Sequence, residues 1–122
     1  MRARQLGITL GLGTPGEWNA ITDVPGVRVG HSTLKTRIDG KQVRTGVSVI
    51  QPRAGEARQQ PCFAGYHVLN GNGDATGLEW INEAGLLTTP MAITNTHSIG
   101  IVRDTLIALE RERLADPSVY WC

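Results

Sequence analysis

The chain has 122 residues, of which twelve are basic and eleven acidic, for a net charge of +1. This length suits a single domain and is short for two. Neither sign of charge forms a block, the six aromatic residues have no basic cluster among them, and no apolar run approaches the roughly 20 residues that span a bilayer. We therefore expect a cytoplasmic protein that binds neither nucleic acid nor membranes.

Residue types that bind metals are scattered through the chain. The two cysteines are too few for a disulfide framework, and the three histidines lack both the i, i+4 spacing and the cysteine pairing of metal sites. Alternating oxygen-bearing side chains from Asn70 to Asp74 are similar to the start of a calcium loop, but Ala75 stands where that loop requires glycine. We therefore expect reduced thiols, no metal site and no cofactor.

The first 25 residues are rich in glycine and proline, which predicts turns and short extended pieces and no long helix. Gly11 to Gly16 satisfies the G-x-G-x-x-G pattern. A dinucleotide site also needs a strand before this pattern and a helix opening within it, whereas Pro25 and Gly26 soon interrupt the chain. We interpret the segment as a glycine-rich entry turn.

Three strands are predicted in the middle of the chain. Alternating residues from Val27 to His31 and from Val43 to Ile50, on either side of Asp39-Gly40, are typical of a β-hairpin with one buried face. Polar residues 51–61, with two prolines and a glycine, indicate an exposed loop. Phe63 to Leu69 then has the composition of a third strand.

Two consecutive Asn-Gly steps from Asn70 to Gly73 predict a tightly folded loop, because both residue types tolerate positive φ. Thr76 stands three residues before Glu79, the spacing of a capping box, so a helix should begin at Gly77. This helix should run to about Glu83, with Gly85 as its left-handed C-cap.

Pro90 to Thr94 is an apolar run that suits a buried strand, and residues 95–98 form the turn out of it. From Ile99 the apolar residues recur at steps of three and four, which predicts an amphipathic helix that ends at Asp116-Pro117. We expect His97 and Ser98 to cap this helix and not to form a hydrolase triad with Asp104, since no nucleophile-elbow spacing is present. A further apolar strand begins at Ser118, which indicates the N-terminal part of a longer protein.

Five separate blocks resemble the L-aminopeptidase/D-esterase family, which includes the D-aminopeptidases and the β-peptidyl aminopeptidases. They occur in the expected order and together span the chain. The blocks are Asn19 to His31, Arg44 to Val47, Phe63 to Gly65, Asn70 to Gly77 and Thr94 to Gly100.

The resemblance implies an α/β fold, specifically an αββα sandwich in which helices cover two stacked sheets, formed by a precursor that cuts its own backbone. The new N-terminus of the second subunit would carry the nucleophilic serine, whose free amine serves as the base. Members remove N-terminal residues, some of them D- or β-residues, from small peptides, amides or esters, and are usually homo-oligomers. Residues 1–122 would then be the N-terminal portion of one αββα domain, with the remainder of the precursor as a partner.

No catalytic residue can be assigned in this chain on the resemblance, because the family's nucleophile and its partner residues would lie beyond Cys122. Trp121 matches an aromatic position that lines the family's substrate pocket. We also expect Asn72 and Gly73 to contact substrate beside the active-site cleft, where backbone N–H groups would hold a carbonyl or carboxylate. The alternative is that their loop only starts the helix at Gly77.

Two other functions remain open at this point. One is an acyltransferase of the ornithine-acetyltransferase type, which shares the architecture and the self-cleavage. The other is a non-catalytic relative that uses the Asn-Gly loop to bind a small ligand or to assemble subunits. The block from Asn19 to Val24 favours the peptidase, and we expect the 122-residue chain to be inactive by itself.

Overall fold

The structure, a computed structural model, describes residues 2–114. Two sheets and two helices are joined by long irregular segments. In chain order the elements are a 3₁₀ turn Ala3–Leu6, a 3₁₀ turn Ile21–Asp23, β1 Arg28–Ile38, β2 Lys41–Gln51, β3 Cys62–Phe63, α1 Leu78–Ala84, β4 Leu86–Leu87, β5 Met91–Ile93, a 3₁₀ turn Thr96–Ser98 and α2 Ile99–Arg113.

The strands β1 and β2 form the predicted hairpin, and both are longer than the sequence pattern indicated, but the predicted buried face is absent because neither strand contains a buried residue. They pair antiparallel without interruption from Arg28 opposite Gln51 to Ile38 opposite Lys41. The two turn residues, Asp39 and Gly40, both have positive φ, at 49° and 74°. This is the combination that two-residue hairpin turns require, because it matches the right-handed twist of the strands.

A third strand completes the larger sheet, whose order is β1-β2-β5. The strand predicted at Pro90 to Thr94 is confirmed, since β5 pairs antiparallel with β2 from Ser48 opposite Ile93 to Ile50 opposite Met91. β2 is therefore the central strand, and its residues 45–51 are half-buried whereas nearly all of β1 is exposed. The predicted burial of β5 is wrong, because Met91 is 40% and Ile93 63% exposed.

Gly46 lies opposite Thr33 in the register, where the backbone of β1 leaves no room for a side chain. A Cβ atom at this position would overlap the carbonyl oxygen of Ser32 and lie 3.2 Å from the Cα of Thr33. Both are backbone atoms in a paired strand, so neither can move aside. The central strand therefore requires glycine at this position for steric reasons, independently of φ.

The prediction of a third strand over Phe63 to Leu69 is wrong for most of its length. The strand that forms, β3, covers two residues, pairs with the equally short β4, and is extended by a hydrogen bond from the Ala64 N–H to the Gly85 carbonyl oxygen (2.9 Å). Residues 64–70 have no regular structure. Apolar and aromatic side chains favour a strand only where a neighbouring strand offers its backbone, and β4 offers two residues.

The helix α1 starts and ends at glycines in the left-handed conformation. Gly77 is the N-cap residue, with φ 84°, and no side chain caps the helix. The predicted capping box between Thr76 and Glu79 is therefore wrong, because the N-cap lies one residue beyond Thr76. The predicted C-cap is confirmed, since Gly85 has φ 66° and its N–H donates to the Ile81 carbonyl oxygen at 2.8 Å.

The second helix, α2, begins at Ile99 as predicted and ends at Arg113. Its half-buried side chains include Val102, Leu106 and Ile107, whereas Ile101 is 70% exposed. The predicted end at Asp116-Pro117 lies outside the described residues. Neither α1 nor α2 has the length and hydrophobicity needed to traverse a bilayer.

Little of the described apolar surface is covered. Among residues 2–114 only Ala57 is buried, and Leu12, Phe63 and Leu69 are almost completely exposed. The glycine-rich N-terminal segment is likewise mostly exposed. As predicted, its described part contains short 3₁₀ turns and no long helix. The two sheets therefore present apolar faces to solvent in the described part of the chain.

Candidate functional site

The loop from Asn70 to Gly73 is exposed and is built differently from the prediction. None of its four residues has a positive φ. The turn is instead made by the side chain of Asn70, whose Oδ1 accepts the Asn72 N–H at 2.9 Å. This is an Asx turn, in which a side-chain oxygen takes the place of a backbone carbonyl.

The residue in this region that needs glycine for its φ is Gly77, not Gly73. A Cβ at Gly73 would meet no atom within 4 Å, and its φ is ordinary. Asn72 and Gly73 are thus presented to solvent on a loop that is shaped by Asn70 and continues into α1 through Gly77. Trp121, the third residue expected to contact substrate, lies outside the described residues.

A polar cluster connects the central strand to the start of α2. The Asn95 side chain lies between the Thr45 hydroxyl, to which its Nδ2 donates at 2.7 Å, and the Ser98 hydroxyl, whose Oγ is 3.0 Å from Nδ2 and 3.2 Å from Oδ1. We call Thr45, Asn95 and Ser98 the Asn95 cluster. Ser98 is the N-cap residue of α2, as expected, but its side chain bonds Asn95 and makes no cap bond to the helix backbone. His97 lies in the preceding 3₁₀ turn and is exposed.

A neighbouring bond strengthens the same connection. The Thr94 hydroxyl donates to the Gly46 carbonyl oxygen at 2.9 Å in a partly buried position. The structure thus brings together two blocks that sequence reasoning singled out separately, Arg44 to Val47 and Thr94 to Gly100. Sequence reasoning did not pair them. The available signal was the polar Thr-Asn pair that directly follows the predicted strand.

The block that begins at Asn19 is organised by one carboxylate. Asp23 accepts the N–H groups of Ala20 (3.0 Å) and Trp18 (2.9 Å), and these two bonds hold the pKa of its carboxyl below the usual value. A Cβ at Gly16 would lie 2.6 Å from the Asp23 Oδ2, so glycine is needed where the chain passes this carboxylate. The Arg2 guanidinium also donates to the Trp18 carbonyl oxygen. Asp23 therefore has a structural role in shaping this segment.

An imidazole and a hydroxyl also meet across the hairpin. The His31 Nδ1 lies 2.7 Å from the Ser48 Oγ, at one end of an open groove of about 270 Å³ between β1 and β2. A nucleophile and a base need such a contact, together with a third group that orients the base. The structure records no carboxylate on His31 within residues 2–114, and it groups no three metal-binding side chains there. The pair is a cross-strand polar contact.

The structure is similar to solved structures of aminopeptidases. Over the whole chain the structure superposes on a Burkholderia sp. β-aminopeptidase with a TM-score of 0.90 and 70% identity, covering 34% of that chain. It also superposes on the L-aminopeptidase D-Ala-esterase/amidase from Ochrobactrum anthropi, described as a variant of the Ntn-hydrolase fold, with a TM-score of 0.84 and 37% identity over 98% of this chain and 35% of that one. The chain is therefore a mixed α/β fragment that matches part of an Ntn-hydrolase-fold structure.

The sequence gives the same result independently. A β-peptidyl aminopeptidase, BapA of Sphingosinicella microcystinivorans, is 46% identical over 112 residues, which cover 87% of this chain and 28% of that protein. Residues 19–120 match the model of peptidase family S58. The chain belongs to peptidase family S58, a family of aminopeptidases with the N-terminal-nucleophile fold, and it spans about a third of the length of the relatives it matches. The family resemblance stated from the sequence is confirmed.

Proposed function

We propose that this chain is the N-terminal part of a self-processing serine aminopeptidase that removes N-terminal L-, D- or β-residues from small peptides, amides or esters. The observation that carries the proposal is the family match over residues 19–120, supported by 70% identity to a β-aminopeptidase over the whole chain. The curated relatives are β-peptidyl aminopeptidases, which favours β-residues among these substrates.

In this proposal residues 1–122 supply one portion of a single αββα domain, and the nucleophile comes from outside the chain. A serine hydroxyl attacks poorly without a base within hydrogen-bond reach, and cleavage of the precursor supplies that base by freeing the α-amine of the serine itself. The two incompletely covered sheets support this arrangement, because the remainder of the precursor would pack on them. The complete enzyme would be a homo-oligomer.

The substrate-side residues proposed in this chain are Asn72, Gly73 and Trp121. The Asn72 N–H is already bonded to Asn70, so Asn72 would contact substrate through its side-chain amide. The Gly73 N–H has no recorded partner within residues 2–114, which leaves it available to a substrate carbonyl or carboxylate. Trp121 is proposed on the family match alone.

The test protein contains this chain and is as long as the S58 relatives. We call it the full-length protein. Its intact mass should show two fragments in place of one precursor, and it should hydrolyse aminoacyl nitroanilides. The L-, D- and β-alanyl nitroanilides, compared at equal concentration, would then rank the substrate classes. A single uncleaved polypeptide without turnover would refute the proposal. Acyl transfer from an N-acetylated amino acid to another amine, without peptide hydrolysis, would favour the acyltransferase instead.

A further inference from the structure

Charge is unevenly distributed along this nearly neutral chain. The hairpin, residues 28–51, contains five basic residues and one acidic residue, whereas residues 59–102 contain three acidic residues and no lysine or arginine. The basic residues are Arg28, Lys35, Arg37, Lys41 and Arg44, against Asp39; the acidic ones are Asp74, Glu79 and Glu83. Each region carries charge that it does not neutralise itself.

Three of the hairpin cations share one face of β1 and β2. Lys35 lies directly opposite Arg44 in the register, and Arg37 is two residues further along β1, so all three side chains project from the same side. We call these residues the basic face. All three are exposed, and the structure records no ion pair for any of them within residues 2–114. Like charges directly opposite each other destabilise a sheet, so this face favours an anionic neighbour.

The helix α1 has the opposite character. Glu79 and Glu83 are four residues apart, so they lie one turn apart on the same side of the helix and repel each other. Trp80 adjoins them, since residues 79, 80 and 83 fall within about 100° of the helix circumference. We call these residues the acidic face. Trp80 is 48% exposed, both glutamates are exposed, and neither has a recorded ion pair in the described part of the chain.

We propose that the basic face of one copy binds the acidic face of a second copy. This inference rests on the proposed function only in taking the complete enzyme to be a homo-oligomer. What it adds is the pair of surfaces through which the copies bind each other. Two copies related by a twofold axis would make the contact twice, because each offers both faces. Arginine and tryptophan are also the residue types that contribute most to binding at interfaces, and a cation over the Trp80 ring adds a further attraction. At a net charge of +1 the chain contributes little long-range repulsion between copies.

The test uses two charge-reversal variants of the full-length protein. Lys35→Glu/Arg44→Glu makes both faces acidic, and Glu79→Lys/Glu83→Lys makes both basic. Each variant should therefore be a single copy by light scattering in moderate salt, where the wild-type protein is an oligomer. Mixed in equal amounts, the two variants should assemble, since each acidic face then meets a basic one. Arg28→Glu/Lys41→Glu is the matched control: it reverses two charges on the opposite face of the same hairpin and should leave the mass unchanged.

Two results would overturn the proposal. If either variant alone keeps the wild-type mass, the faces do not hold the copies together. If the variants dissociate and fail to assemble on mixing, the basic face binds another part of its own chain or a different partner. Turnover of the nitroanilide is read separately on the same samples, so a failure of the interface is distinguishable from a failure of the aminopeptidase proposal.

Discussion

The segment 62–69 is richer in apolar residues than the hairpin, yet it is the hairpin that forms the long strands. β1 and β2 pair along their whole length, from Arg28 to Gln51. Residues 62–69 also contain aromatic and branched side chains, yet only Cys62 and Phe63 form a strand. The hairpin carries its partner strand within its own sequence, two turn residues away, whereas β3 depends on a strand of two residues. The comparison shows that strand propensity becomes structure where the chain supplies the partner backbone.

The largest effect on this comparison is expected from a change at Gly46, where the backbone of β1 leaves no room for a side chain. Gly46→Ala should destabilise the full-length protein by about 3 kcal/mol or more, because the new Cβ overlaps the backbone of Ser32 and Thr33. Gly30→Ala is the matched control on the partner strand, since a Cβ there meets nothing within 4 Å. Denaturant melts of both variants measure the difference. Equal stability of the two would show that the close approach at Gly46 is not a constraint.

The second prediction concerns the bond between Asn95 and Thr45. Asn95→Ala should cost about 1 to 2 kcal/mol, because it removes an amide that contacts two hydroxyls at 2.7 and 3.0 Å. Thr45→Val should cost less. A double-mutant cycle should give a coupling of about 0.5 kcal/mol or more, as expected of residues in contact. Additive effects would mean that the Asn95 cluster does not link β2 to α2 energetically.

The third prediction compares Gly73 in the Asn-Gly loop with Gly77 at the start of α1, and it tests the proposed role of the loop in substrate binding. Gly77→Ala should cost about 1 kcal/mol because φ is 84°, whereas Gly73→Ala should change stability little. If the loop contacts substrate, Asn72→Ala should slow hydrolysis with the melting temperature nearly unchanged. Full activity in Asn72→Ala would leave the loop a structural turn, and a large stability loss in Gly73→Ala would contradict the described backbone.

The smallest expected effect is a pH dependence from Glu110 in α2. Partial burial raises the pKa of its carboxyl above the ordinary value near 4.5, and this outweighs the opposing influence of Arg58. A raised folded-state pKa means that the folded protein holds the proton more tightly. Glu110 therefore costs no stability below the unfolded pKa, and the cost grows as pH rises through the folded pKa. The free energy of unfolding of Glu110→Gln should therefore exceed that of the wild-type protein at pH 7, and this difference should be smaller at pH 4. An equal effect at both pH values would contradict this assignment.

The sequence was sufficient for those elements whose determinants are local. The hairpin turn at Asp39-Gly40, the C-cap at Gly85 and the start of α2 at Ile99 each depend on a few adjacent residues, and each is confirmed. The N-cap of α1 and the strand after Phe63 were predicted wrongly. For the helix, the capping-box residue Thr76 competes with Gly77, which becomes the N-cap. For the strand, the sequence pattern does not show that its partner, β4, is only two residues long.

The candidate site was less predictable than the fold. The Asn95 cluster joins residues about fifty positions apart, so only the sheet register brings Thr45 to Asn95. The Asn-Gly loop was singled out correctly as a turn before a helix, but its shape comes from the Asn70 side chain and not from positive φ. The role of Trp121 stays a prediction, since that residue is outside the described part of the chain.

The central proposal is that this chain is part of an aminopeptidase whose nucleophile lies outside it. The most direct measurement compares the purified 122-residue chain with the full-length protein in one assay, the hydrolysis of a β-alanyl nitroanilide at equal molar concentration. Our account predicts turnover by the full-length protein and none by the 122-residue chain, since the proposal places the nucleophile and the groups that stabilise the oxyanion outside this chain. Turnover by the 122-residue chain that survives Ser98→Ala would contradict it.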